Sequence, residues 1–100
     1  MRTLLTATME VTASNKAVMD GSLPKIVKDL MDKIHPEAAY FYTVDGCRSC
    51  FMVFDLKDPS EIPGIAEPLF NGMGARINFS PVMNPDDLQK GLEAWQKSQA

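Results

Sequence analysis

The sequence predicts an α+β fold: a four-stranded antiparallel sheet with helices on one face, in the order βαββαβ, followed by a last helix. Three observations predict it. Arg2–Val11 and Arg76–Val82 alternate apolar and polar residues, two stretches between them carry apolar stripes at helical spacing, and Asp45-Gly46 separates two aromatic-rich runs. A period of two marks a half-buried strand, and a stripe at i, i+3, i+4 and i+7 marks a helix. One hundred residues suit one hydrophobic core, so residues 1–100 are read as a single domain.

In chain order, Leu5, Ala7, Met9 and Val11 fall on one side of the first segment, and Thr6, Thr8 and Glu10 on the other. Ser14-Asn15 offers a helix cap for Lys16–Met19, before a soft spot at Asp20-Gly21. Leu23, Ile26, Val27, Leu30, Met31 and Ile34 then form one continuous stripe. Ser22 can cap this helix, and Pro24 sits in the first turn, where its missing N–H is tolerated. A helix running unbroken from Asn15 would instead have to kink near Asp20. His35-Pro36 ends the stripe, with the imidazole near the last carbonyls. Ala38–Val44 is aromatic and β-branched, and Ser49–Leu56 is its returning strand. Asp45-Gly46 between them suits a turn whose central residues both need positive φ.

Asp58-Pro59-Ser60-Glu61 has the form of a capping box, and Ile62, Ile65, Ala66, Leu69 and Phe70 make the next helical stripe. Pro68 predicts a short or bent helix, ending around Gly72-Met73-Gly74. In Arg76–Val82, Ile77 and Phe79 face one way, and Arg76, Asn78 and Ser80 the other. Asn84-Pro85-Asp86-Asp87 opens a final helix whose stripe is narrow: Leu88, Leu92 and Trp95.

Split βαβ units in this order build a ferredoxin-like sheet. Leu5, Ala7, Met9, Ile77 and Phe79 would meet the helices. The second face would carry Thr6, Thr8, Arg76 and Asn78 beside an aromatic-rich set that includes Tyr40, Tyr42, Met52 and Phe54. The two middle strands are apolar front and back, the pattern of strands covered on both faces. A large apolar patch left in water marks an interface. Its simplest cover is the same sheet of a second chain, so a homodimer is expected.

Asp45-Gly46-x-Arg48, Val53-Phe54-Asp55, Asp58-Pro59-Ser60-Glu61-Ile62-Pro63 and Pro81-Val82-Met83-Asn84 resemble an uncharacterised bacterial branch of the dimeric α+β barrel group. In that group two ferredoxin-like sheets close into a barrel; muconolactone isomerase-like and antibiotic-biosynthesis monooxygenase-like proteins belong to it. The resemblance covers nearly the whole chain, and its motifs are turns, caps and strand ends. It implies fold and dimer. It implies no catalytic residue, because the His, Asp or Trp sets of those enzymes have no match here, and a shared fold does not carry shared chemistry.

Ten basic against thirteen acidic residues, scattered along the chain, give a net charge of −3 and no basic stripe, which speaks against nucleic acid as partner. No apolar run approaches the roughly 20 residues of a membrane helix, and the start lacks the form of a signal peptide, so a cytoplasmic protein is expected. Two cysteines fit a reducing compartment. Cys47-Arg48-Ser49-Cys50 suggests redox or metal chemistry, but the pair lies on a hairpin rather than a helix N-terminus, and structural zinc needs four ligands. It is read as incidental, with no metal and no cofactor expected.

The ligand-binding candidates are Arg76, Asn78, Thr6 and Thr8, with Tyr40 and Tyr42. Arg suits a carboxylate, and Tyr and Asn orient what it holds. The competing reading is a plain interface, with Arg76 paired to Asp55 or Glu10. The favoured function is binding of a small, anionic or aromatic metabolite between sheet faces. The alternative is a cofactor-free isomerase or monooxygenase using the same cavity. The second requires a titratable side chain beside the reacting atom.

Overall fold

The computed structural model describes residues 1–99, and in it the first alternating segment forms β1 (Arg2–Thr8), with Thr3, Leu5 and Ala7 buried on one side. β3 (Cys47–Asp55) and β4 (Arg76–Pro81) flank β1, both antiparallel to it, placing Met52 and Phe79 on either side of Leu5. β2 (Ala38–Val44) pairs with the outer side of β3, so the sheet runs β2-β3-β1-β4. Asp45 and Gly46 take φ of 51° and 76°, the two left-handed residues of a tight hairpin. Among the described residues this is a four-stranded α+β sheet of ferredoxin-like order.

The segment after β1 departs from the expected reading. β1 stops at Thr8, and Val11, Ser14 and Asn15 belong to α1 (Val11–Met19). The cap is Glu10, whose carboxylate accepts the N–H groups of Thr12 and Ala13 at 3.0 and 2.6 Å. These orphan donors bind an anion well, and they hold the Glu10 carboxyl below its ordinary pKa. Gly21, at φ 79°, separates α1 from α2 (Ser22–Ile34), so no kinked single helix forms. Gly21 rather than Ser22 is the N-cap of α2, and the Asp20 carboxylate before it accepts the Ser22 N–H at 2.9 Å. His35 closes α2 at φ 46°, its backbone N–H reaching the Met31 carbonyl at 2.9 Å.

The capping box at Asp58 and Glu61 starts a 3₁₀ turn (Pro59–Glu61) that leads into α3 (Ile62–Met73). Pro68 does not shorten α3, which ends at Gly74 with φ 55°. α2 and α3 lie on the Leu5 face, where Leu30, Ile65, Leu69 and Met73 close over Ala7, Cys50, Met52 and Phe54. A Cβ on Gly72 would come within 2.6 Å of Ile26 Cδ1, so that glycine sets how closely the two helices approach. Phe70, expected in the buried stripe, is exposed. No helix among the described residues is long and apolar enough to cross a membrane.

α4 (Pro85–Ser98) begins with the expected cap, the Asn84 side chain accepting the Asp87 N–H at 2.8 Å. Every residue from Pro85 to Gln99 is exposed. The helix projects from the body, giving extents of 60 × 28 × 19 Å. The radius of gyration is 16.5 Å, where a compact chain of this length has about 13 Å.

Candidate functional site

The sheet face away from the helices is open, and the strand register arranges it in rows. From β4 to β2 the first row is Arg76, Thr8, Ser49 and Tyr42; the second is Asn78, Thr6, Phe51 and Tyr40; the third is Ser80, Leu4, Val53 and Ala38. All six residues picked from the sequence (Arg76, Asn78, Thr6, Thr8, Tyr40 and Tyr42) therefore share one face. Side chains opposite one another on the same face lie within reach of a common ligand.

Met52 and Phe54 are corrections. They were expected on this face, yet they are buried under the helices at 0% and 2% exposure. Phe51 and Val53 hold the open positions instead. A one-residue step along a strand moves a side chain to the other face. The two-residue turn decides the matter: Val44 faces Cys47, so Tyr42 meets Ser49 and Tyr40 meets Phe51. Phe41 falls on the helix face opposite Cys50.

Phe51 organises the centre of the face. Its ring stacks on Tyr40 with centroids 5.4 Å apart and meets Tyr42 edge-on at 5.7 Å. These are the separations favoured by ring quadrupoles. Tyr40 and Tyr42 stay 62% and 45% exposed. Beside them lies a polar strip, in which Ser49 Oγ lies 3.4 Å from Thr8 Oγ1 and donates to the Cys47 carbonyl at 3.1 Å. Half-buried Phe51 lines this face without being evident from composition, and the turn length is the signal that places it there.

Arg76 ends the polar row, exposed and, among the described residues, without an ion-pair partner. The expected pairing with Asp55 or Glu10 does not form. Asp55 binds the N-terminal ammonium at 2.6 Å, which lowers its pKa, and Glu10 caps α1. At the far end of the face the Arg2 guanidinium pairs with Glu37 at 2.6 Å. Both Asp55 and Glu37 are thus ion-paired.

The two cysteines point to opposite faces of β3, since Cys50 belongs to the core face and Cys47 is three positions away. Burial pushes the Cys50 thiol pKa up, leaving it a small apolar filler. Arg48 activates neither thiol. Its Nη1 donates to Ser14 Oγ and Asn15 Oδ1, each at 2.8 Å, tying β3 to α1. No three His, Cys, Asp or Glu side chains gather around one point among the described residues. His35 lies on the rim of a cleft of about 330 Å³ with Asp55 and Glu61. Glu61 is engaged there, accepting the Lys57 and Asp58 N–H groups at 3.1 and 2.9 Å.

No family model matches the chain, and no curated protein matches it. The structure shows the ferredoxin-like order of the sheet.

Proposed function

We propose that the open face is the wall of a binding cavity, completed when a second copy of the chain packs its own open face against it. The occupant is a small molecule with a planar apolar body and a carboxylate or similar anionic end. The carrying observation is an Arg76 without an ion-pair partner among the described residues, on one sheet face with a Tyr40–Phe51–Tyr42 cluster whose two tyrosines are exposed. A cation at one side and rings at the centre match the two halves of such a molecule, while Thr6, Thr8 and Asn78 supply orienting hydrogen bonds. A single sheet face is a shelf, and enclosure needs a second surface. Covering about 200 Å² of apolar surface on each protomer would contribute about 5 kcal/mol per chain before association costs.

Binding is favoured over the isomerase or monooxygenase alternative by the same inventory. Acid–base catalysis needs a titratable side chain near the reacting atom, most often an imidazole or a carboxylate. Glu37 and Asp55 are ion-paired, and His35 is at a helix end on the rim of a separate cleft.

The test is thermal shift of the wild-type protein and Arg76→Ala against a panel of aromatic carboxylates and their uncharged amides. A ligand that binds the folded state raises the melting temperature by mass action. Wild type is expected to respond to carboxylates and not to amides, and Arg76→Ala to neither. Equal responses from both proteins would remove Arg76 from the site.

A further inference from the structure

Every residue of α4 is exposed, and its apolar residues Leu88, Leu92 and Trp95 lie on one side, at 47%, 53% and 61% exposure. An isolated helix of 14 residues is marginal in water, so tertiary packing is what would hold it. The chain carries a second apolar feature without a partner. Leu23, Val27 and Met9 line a groove with Phe41 and Tyr42, about 330 Å³ in volume. Phe41 is on the helix face yet 55% exposed. Tyr42 is on the open face, so the groove wraps around the β2 edge.

We propose that α4 is an exchanged arm, whose Leu88–Leu92–Trp95 stripe seats in the α2–β2 groove of a second copy. The proposal rests on the face-to-face pairing given above and names what holds the pair together. The arm leaves from β4 and the groove opens at β2, the opposite edges of the sheet. A two-fold axis parallel to the strands stacks two sheets with the β4 edge of each over the β2 edge of the other. In that arrangement each arm starts at the Pro81–Thr3 end of the sheet and runs back along the partner's β2 edge to the groove at the Thr8–Ser49–Tyr42 end, about 16 Å away, which an arm of about 21 Å covers. Within its own chain α4 is not packed, since every residue from Pro85 to Gln99 is exposed.

The area also calls for the arms. Four strands about 4.8 Å apart and six residues of about 3.3 Å make a face of roughly 400 Å². Two such faces bury roughly 800 Å², short of the roughly 1,200 Å² at which stable interfaces begin. An arm about 21 Å long and 10 Å wide adds roughly 400 Å² with its groove. Two arms bring the total to roughly 1,600 Å², the ordinary size of a specific interface.

Trp95 is the only tryptophan, so its emission reports on α4 alone. The experiment follows that emission and the sedimentation mass of the full chain over a dilution series, for wild type, Leu92→Asp and Phe41→Ala. Far-UV circular dichroism checks that both exposed-site variants fold. Wild-type emission is expected to be blue-shifted in the dimer and to move to the solvent position as dilution gives monomer. Each variant should red-shift it and weaken the dimer at least tenfold. A wild-type dimer with solvent-like emission would overturn the arm while leaving the sheet pairing intact. So would a Phe41→Ala dimer as tight and as blue as wild type. Blue emission in a monomer would mean a helix folded onto its own chain, and overturns the arm. A chain monomeric throughout with exposed Trp95 would overturn arm and sheet pairing together, leaving α4 to another protein or to solvent.

Discussion

Gly74 shows how one residue ties two elements. It stands at φ 55° after α3, and a Cβ there would lie 3.2 Å from the Glu10 Cβ. Gly74→Ala therefore meets both left-handed strain and a crowded cap, and should cost about 1–2 kcal/mol in urea unfolding. Glu10 itself makes stability depend on pH. Its folded pKa is depressed by the α1 N–H groups, and that of Asp55 by the N-terminal ammonium. A depressed carboxyl contributes stability that is present above its unfolded pKa and lost as pH falls through the folded value. Melting temperature should hold near neutrality and fall below about pH 4, and Glu10→Gln should flatten that fall; an unchanged profile would remove Glu10 from the account. The same scale separates the cysteines. Native alkylation should label half-buried Cys47 and spare Cys50 until unfolding, and mild oxidation should form no bond within the chain. The CxxC spacing alone could not say this. Residues three apart on a strand diverge, and only the ladder shows that both belong to one strand.

At the scale of elements, neighbouring residues of β3 have unlike duties. Met52 is fully buried beneath α2 and α3, whereas Phe51 faces the open side. Met52→Ala should destabilise the fold by about 2–5 kcal/mol. Phe51→Ala should leave the monomer nearly as stable and weaken association and ligand response; the opposite pattern in chemical denaturation and sedimentation would reverse the assigned faces. Much of this was legible in the sequence. The α2 stripe from Leu23 to Ile34, the Asp45-Gly46 hairpin, the Asp58 and Asn84 capping boxes and the alternation of β4 all stand as read. After Thr8 the alternation misleads, because Met9 and Val11 extend it although Glu10 has begun a helix. Met52 and Phe54 lie on the face opposite to the expected one for a different reason. In a strand apolar on both sides, composition carries no facing information, and only the two-residue turn sets the register.

At the scale of the molecule, the chain leaves two kinds of apolar surface in water: an aromatic sheet face and a projecting helix. Patches of this kind mark association surfaces. The candidate site was legible as a set of residues, because Thr6, Thr8, Arg76 and Asn78 alternate visibly away from the core. That Arg76 has no ion-pair partner among the described residues, and that α4 stands clear of the body, depend on ion pairs and exposure, which a sequence pattern does not contain. Association is the claim on which cavity, ligand and arm all depend. The most direct measurement is sedimentation equilibrium of the wild-type chain across the micromolar range, with Tyr40→Asp as control. The account predicts a particle of twice 11.1 kDa for wild type and a shift toward 11.1 kDa when a charge is placed in the ring cluster. A wild-type chain that stays at 11.1 kDa at every concentration would contradict it.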